Sequence, residues 1–542
     1  MVATRGVVAW SVSARESRRW VLAAATVFTA GAAYRFLTLD GFPNDHFTTL
    51  TPAWQMVSLG DLPTRDYVDP GLPLMIASSA LFQALFGPTL FSEALLVVLA
   101  FGTAAVFTLF TVRALSGSLL LAAGAVAFEV AIYPRTYSYP KILIYPAAFL
   151  LFLRYVARPT TGRLFAMAAA TAVAFLFRHD HGLFVGVGGV LTAALAPAQG
   201  NLKARVNRAV VLIAAVGALV LPYLVYVQMT QGIWLYLRTG IEFSRREAMH
   251  SVRIWPSLFG PERPYGVMVW LYHALPVAVG VAALAARTRN RHEHVIARIV
   301  PIAAVAVLVN LTFLRDPPAT RVPDAIVPAV VLGAWLTGQA QAAKHRAALV
   351  PMAIALIAAA AWATILVGHM SDQVERMALT TVMSVPERFE QRARALHARF
   401  DPHQVPTHTV TKMVPFFEYL DRCTATTDRL LTGGFMPEVP YFARRGFAGG
   451  QNVFMYGYFG SDENQREVVD RLRRQEVPFV LIPSDYADDL RDDFPTVNAY
   501  VSERYRPLVT TEIDEGFHVA VLVDRMREPV SRDGATGWPC FR

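Results

Sequence analysis

Four polar residues in a row, Arg178, His179, Asp180 and His181, interrupt two apolar runs in the stretch FRHDHG. An arginine followed by two imidazoles can grip an anion, and an alternating His-Asp-His offers ligands to a divalent cation. Arg178 and Asp180 can equally satisfy each other as an ion pair. A second cluster, Asp45-His46, follows Pro43-Asn44 soon after the first apolar run. A third, YPRTYSYPK, ends in Lys141, one of four lysines in a chain whose other basic residues are almost all arginine. Arg315 and Asp316 open a fourth, RDPPATRVPD, where they can pair or line a groove. Glu93 and Glu129 lie in or beside apolar runs, where an ionisable group is either functional or neutral and hydrogen-bonded.

The elements that must position these groups follow from composition. The 542 residues are 54% hydrophobic and 17% charged, with a positive mean hydropathy, which describes a polytopic membrane protein. The net charge of +9 does not point to nucleic acid, because the arginines cluster in short segments between apolar runs. The basic stretch ending Arg18-Arg19 leads into a full-length segment and reads as a first anchor, not a cleaved signal. Eleven spans are expected, at about 20–37, 92–112, 117–133, 140–157, 162–177, 183–197, 207–228, 265–286, 298–314, 323–340 and 347–368. Beyond them the apolar runs stop, which divides the chain into a membrane domain, 1–371, and a soluble domain, 372–542.

One apolar segment, Leu72 to Phe86, is too short to count with the rest, and basic-loop parity decides it. With the N-terminus inside and this segment not crossing, Arg113, Arg154, Arg158, Arg163, Lys203, Arg205, Arg208, Arg287, Arg289, Arg291, Arg298, Lys344 and Arg346 all fall on the cytoplasmic side. The segment is therefore a juxtamembrane helix. The same parity puts the first loop, YPRTYSYPK, FRHDHG, the 229–264 loop, RDPPATRVPD and the soluble domain on the external face.

The first loop carries more than isolated groups. Asp45 is followed by Gly60-Asp61-Leu62-Pro63-Thr64-Arg65-Asp66, then by Gly71-Leu72-Pro73-Leu74 and Phe86-Gly87 before the next span. This order and spacing resemble the GT-C superfamily of membrane glycosyltransferases, which includes protein O-mannosyltransferases and the aminoarabinose transferases of lipid A. Two departures stand out: His46 takes a place where many relatives have Glu, and Gly71-Leu72-Pro73 replaces a double proline.

The resemblance implies transfer of a sugar from a polyprenyl-phosphate donor to a hydroxyl of a glycan, lipid or protein acceptor, by an inverting reaction at the external face. Asp45 is then the general base, although an Asp near Pro43 can also be a helix N-cap. Lys141 and Arg178 are the expected ligands of the leaving phosphate, against the bland alternative that they snorkel to the interface. His46, Arg65, Asp66, His179, Asp180, His181 and Arg315 complete the candidate substrate-binding set. No cofactor is required; the alternative is a divalent metal on the His-Asp-His alternation. A polysaccharide ligase or polymerase would carry a late external loop instead, and a flippase or transporter would show an internal repeat that this chain lacks.

The C-terminal part reads as short apolar strands alternating with helices, a small α/β domain with a mixed sheet. It holds both cysteines, Cys423 and Cys540, which can pair in an oxidising compartment. Arginine-for-lysine usage and high alanine favour a bacterial cytoplasmic (inner) membrane, with the active site and the C-terminal domain facing the periplasm. The fold class expected is thus mainly α, about eleven transmembrane helices and a juxtamembrane helix, plus an extracytoplasmic α/β domain.

Overall fold

The computed structural model describes residues 14–39, 41–197, 202–250, 256–287, 292–314, 318–342, 346–379, 381–400, 408–514 and 516–542. Every one of the eleven expected spans is helical. By length and composition alone six of the described helices can cross a bilayer, or seven if the bent pair Pro351–Val367 and Met370–Met377 counts as one. Others fall short for a geometric reason: Leu119–Ala131 has 13 residues, about 20 Å at 1.5 Å per residue, against a hydrocarbon core of about 30 Å. The juxtamembrane helix is present as Pro73–Phe86, started by Pro73 in its first turn and ended at Gly87, whose φ is +90°. Of the basic residues used for parity, Arg289, Arg291 and Lys344 lie outside the described residues.

The chain divides into two compact units. The first comprises Met1–Thr38, Val97–Pro222 and Ser251–Val382. Its core is aliphatic and aromatic, with Tyr145, Phe149 and Phe152 of helix Tyr139–Ala157 buried among Val185, Ile302, Val305 and Trp335. Glycine sets how close its helices come. A Cβ on Gly188 would lie 2.6 Å from Val305 Cγ2 and 2.8 Å from a Phe152 ring carbon, so no larger residue fits there.

The second unit comprises Leu39–Leu96, Tyr223–His250 and Met383–Arg542. Its sheet orders five strands β2-β1-β3-β5-β4, where β1 is Arg429–Thr432, β2 Gly446–Phe447, β3 Phe479–Pro483, β4 Tyr505–Asp514 and β5 Phe517–Asp524. β1 runs parallel to β2 and β3, whereas β5 is antiparallel to β3 and β4, which makes the sheet mixed as expected. Helices Asp462–Arg474 and Pro495–Arg504 bury Val468, Leu472, Val497 and Val501 against it. Ser461 caps the first of these by accepting from Asn464 N, with Asp462 and Glu463 in its first turn. Cys423 and Cys540 form a disulfide.

Residues of the first loop are built into this unit. Helix Asn44–Leu59 packs on Pro73–Phe86 and on helix Glu438–Ala443, where Thr51 Oγ1 donates to Pro437 O at 2.6 Å and the Phe47 ring meets Tyr441 edge-on and Phe442 at a tilt. Gln55 bridges in the same way, donating to Asp61 Oδ2 at 2.6 Å and accepting from Phe447 N at 2.9 Å.

Candidate functional site

FRHDHG is not a solvated loop. Helix Thr161–Phe177 ends and helix His179–Leu195 begins with one residue between them, Arg178, in an extended conformation at φ −159° and ψ 119°. His179, Asp180 and His181 form the first turn of the second helix. Gly182 is what allows so abrupt a reversal, because a Cβ there would sit 2.2 Å from Phe175 Cα. The two helices therefore meet backbone to backbone.

This reversal presents three of the four polar groups to one pocket. Lys141, Arg178, Asp180, His181, Val309, Thr312, Arg321, Asp324 and Ala325 line a small pocket. Arg178 grips Asp180 with both edges of its fork, Nε to Oδ1 at 3.1 Å and Nη2 to Oδ2 at 2.8 Å. Asp180 Oδ1 also accepts from His181 N at 2.8 Å, so the carboxylate caps its own helix. His181 is buried, with Nδ1 hydrogen-bonded to the Tyr145 hydroxyl. Lys141 is buried too, and its Nζ donates to Asp324 Oδ2 at 2.6 Å, with Arg321 Nη1 3.8 Å from the same oxygen. Three cations thus face two carboxylates, which leaves a net positive pocket suited to an anion.

His179 goes elsewhere. Its ring stacks on Phe175 at 4.1 Å, and its Nδ1 lies 2.7 Å from Phe175 O, so it does not line the pocket. The His-Asp-His alternation accordingly does not gather its side chains around a point. Among the described residues, the one trio of potential metal ligands within 4.8 Å is Cys423, Asp533 and Cys540, whose sulfurs are joined to each other. Arg315 and Asp316 lie outside the described residues. Arg321 and Asp324, from the same RDPPATRVPD stretch, are the pocket residues that sequence reasoning passed over. The signal for them was the charge left in that loop after Arg315 and Asp316, but nothing in the pattern said that Arg321 and Asp324 would turn inward.

In the second unit, Asp45 is exposed in the first turn of helix Asn44–Leu59. Pro43 is the N-cap residue and no side chain caps it, so Asp45 is not the N-cap. His46 turns the other way and is fully buried, its Nε2 2.7 Å from Glu93 Oε1 and its ring edge-on to Phe42. Ser79 Oγ donates to the second Glu93 oxygen. This fixes the start of the helix from behind Asp45. Arg65 and Asp66 form a turn instead of a pocket: Arg65 Nε donates to Asp66 Oδ2 at 2.7 Å, its Nη2 donates to Gly60 O at 2.8 Å, and Asp66 also accepts from Leu62 N. Asp69, not anticipated, is buried and accepts from Gly71 N and Leu72 N and from the hydroxyls of Tyr223 and Tyr236.

No family model matches the sequence, and no curated protein matches it. Among solved structures, the crystal structure of ArnT from Cupriavidus metallidurans bound to undecaprenyl phosphate is similar to 93% of this chain and 98% of that one, at 14% identity and a TM-score of 0.53. The apo structure of ArnT from the same organism aligns over the same shares at 13% identity and a TM-score of 0.49. The chain shares the fold of the undecaprenyl phosphate-bound ArnT structure, helical with a C-terminal sheet-containing region, and is a multi-pass membrane protein.

Proposed function

We propose that this protein is a membrane glycosyltransferase that moves a sugar from a polyprenyl-phosphate-linked donor to an acceptor hydroxyl on the extracytoplasmic face of a bacterial cytoplasmic membrane. The observation that carries the reading is the buried pocket of Lys141, Arg178 and Arg321 in a chain whose fold is that of a protein crystallised with undecaprenyl phosphate. In the reaction the acceptor oxygen attacks the anomeric carbon, the bond from that carbon to the phosphate oxygen breaks, and polyprenyl phosphate leaves with the electron pair. Three side-chain cations hold the charge that develops on the leaving phosphate, so no general acid is needed and the reading calls for no resident cofactor. Asp45 takes the proton of the acceptor hydroxyl, and one direct displacement inverts the anomeric centre. Asp180 and Asp324 orient Arg178 and Lys141 and keep both cations from drifting to solvent.

Purified protein with a synthetic polyprenyl-phosphate sugar tests this. Asp45→Asn is expected to lower turnover by about 10²–10⁴-fold, the usual contribution of a general base, while leaving co-purified polyprenyl phosphate detectable by mass spectrometry. Arg321→Gln is expected to lose that lipid. Full sugar transfer by a folded Asp45→Asn protein sinks the mechanism.

A further inference from the structure

Helix Tyr139–Ala157 carries Lys141 and, one turn on and so on the same face, Tyr145. Both are buried. Lys141 Nζ is held by Asp324, whereas the Tyr145 hydroxyl reaches Nδ1 of His181, with the two rings edge-on and 5.5 Å apart between centroids. That is the phenol's one hydrogen bond among the described residues. Phe149 stacks on the tyrosine at 6.1 Å and Phe184 meets the imidazole edge-on at 5.5 Å, so the contact sits in an apolar setting.

A buried hydroxyl that leaves its proton unspent carries the full cost of desolvation. If Nδ1 held a proton, in the other neutral tautomer or in the imidazolium, the phenol would have to accept it, and its own proton would then have no acceptor. Tyr145 therefore donates to Nδ1, and the neutral imidazole keeps its proton on Nε2. Nε2 makes no hydrogen bond among the described residues: Asp180 Oδ2 lies 3.8 Å off and is already gripped by Arg178 Nη2 at 2.8 Å. His181 lines the cation pocket. An unspent N–H thus stands at the wall of a site suited to an anion.

We propose that Tyr145 is a positioning residue that fixes His181 as the Nε2–H tautomer, and that this N–H is a fourth, uncharged donor to the phosphate held by Lys141, Arg178 and Arg321. This role rests on the sugar-transfer reading of the pocket. The phosphate carries about one negative charge in the sugar-linked donor and nearly two once it has left, so an N–H already aimed at it interacts more strongly with the departing form than with the bound one. A fourth cation would instead repel the three already gathered there, in a site where unpaired charge is costly. Without the phenol, the ring is free to put its proton on Nδ1 and to turn a lone pair, which repels an anion, towards the phosphate.

Solid-state nitrogen NMR on the full-length protein, with isotope-labelled histidine and in vesicles of phosphatidylethanolamine and phosphatidylglycerol, tests this; the His181 signals are assigned by their loss in His181→Gln. The wild type is expected to show an unprotonated Nδ1 and a protonated Nε2, and farnesyl phosphate, but not farnesol, to move the Nε2 signal. Tyr145→Phe keeps the ring and its packing, and is expected to give a mixture of tautomers and to bind farnesyl phosphate about three- to tenfold more weakly. A protonated Nδ1 in the wild type would overturn the proposal, and so would undiminished affinity in Tyr145→Phe. Farnesyl phosphate bound with Nε2 unmoved would overturn it while leaving the sugar-transfer reading standing, whereas no binding at all by the wild type would remove both.

Discussion

Lys141 and Asp324, 183 residues apart in the chain, meet in a buried ion pair of 2.6 Å at the wall of the cation pocket. Removing one partner of such a pair leaves an uncompensated charge in a low-dielectric site, whereas removing both does not. Asp324→Ala is therefore expected to cost about 3–5 kcal/mol, and Lys141→Met with Asp324→Leu to recover most of it. A double-mutant cycle on detergent-solubilised protein, read by thermal unfolding, checks this. Equal destabilisation by the single and double variants would contradict it.

Gly182→Ala is expected to destabilise by about 1–3 kcal/mol through overpacking, although alanine ordinarily improves a helix. The added Cβ would meet Phe175 Cα at 2.2 Å, a backbone atom that cannot swing aside. Gly186→Ala, on the same helix but with its nearest contact at 3.5 Å, serves as the control and should be neutral or stabilising. Melting temperatures of the two variants decide the matter.

Burial pushes Glu438 up to about 8, and its Oε2 is buried with no hydrogen-bond partner. The folded protein binds this proton more tightly than the unfolded chain does. The stability it contributes is complete below the ordinary glutamate pKa of about 4.3 and is lost as pH rises towards about 8. The loss runs at up to about 1.4 kcal/mol per pH unit in that window. Glu438→Gln removes the slope, so wild type and variant should differ in melting temperature more at pH 8 than at pH 5. Parallel profiles would show that Glu438 ionises freely.

Cys423 and Cys540 close a loop with a sequence separation of 117 residues. In the chain-entropy account a loop of this length is worth about 4–5 kcal/mol. Cys423→Ser with Cys540→Ser is expected to lower the unfolding temperature of the second unit and to make it insensitive to reductant. An unchanged melting temperature of the wild-type protein in dithiothreitol would refute this.

Much of the fold was legible in the sequence because a bilayer leaves few options. Spanning segments must satisfy their backbone internally, so long apolar runs become helices, and all eleven do. Proline and glycine at Pro73 and Gly87 mark the ends of the juxtamembrane helix, and alternating short strands foretold the mixed sheet. FRHDHG also stood out, since charge among apolar residues needs a reason. The partners of these residues were another matter. Hydrophobic periodicity carries no information about which of several loop carboxylates reaches a lysine nearly two hundred positions away, so Asp324 was invisible beside Asp316. Nor could proximity separate His179 from His181: a helix turns about 100° per residue, so two positions aim the rings about 200° apart, one onto Phe175 and the other into the pocket. The same rotation leaves Asp45 exposed and buries His46 against Glu93. The sequence alone thus determined which elements exist and where the unusual charges lie, because those follow from local chemistry and the thickness of a membrane. Only the tertiary structure decided which charges share a pocket, because that depends on the packing of helices brought together from distant parts of the chain.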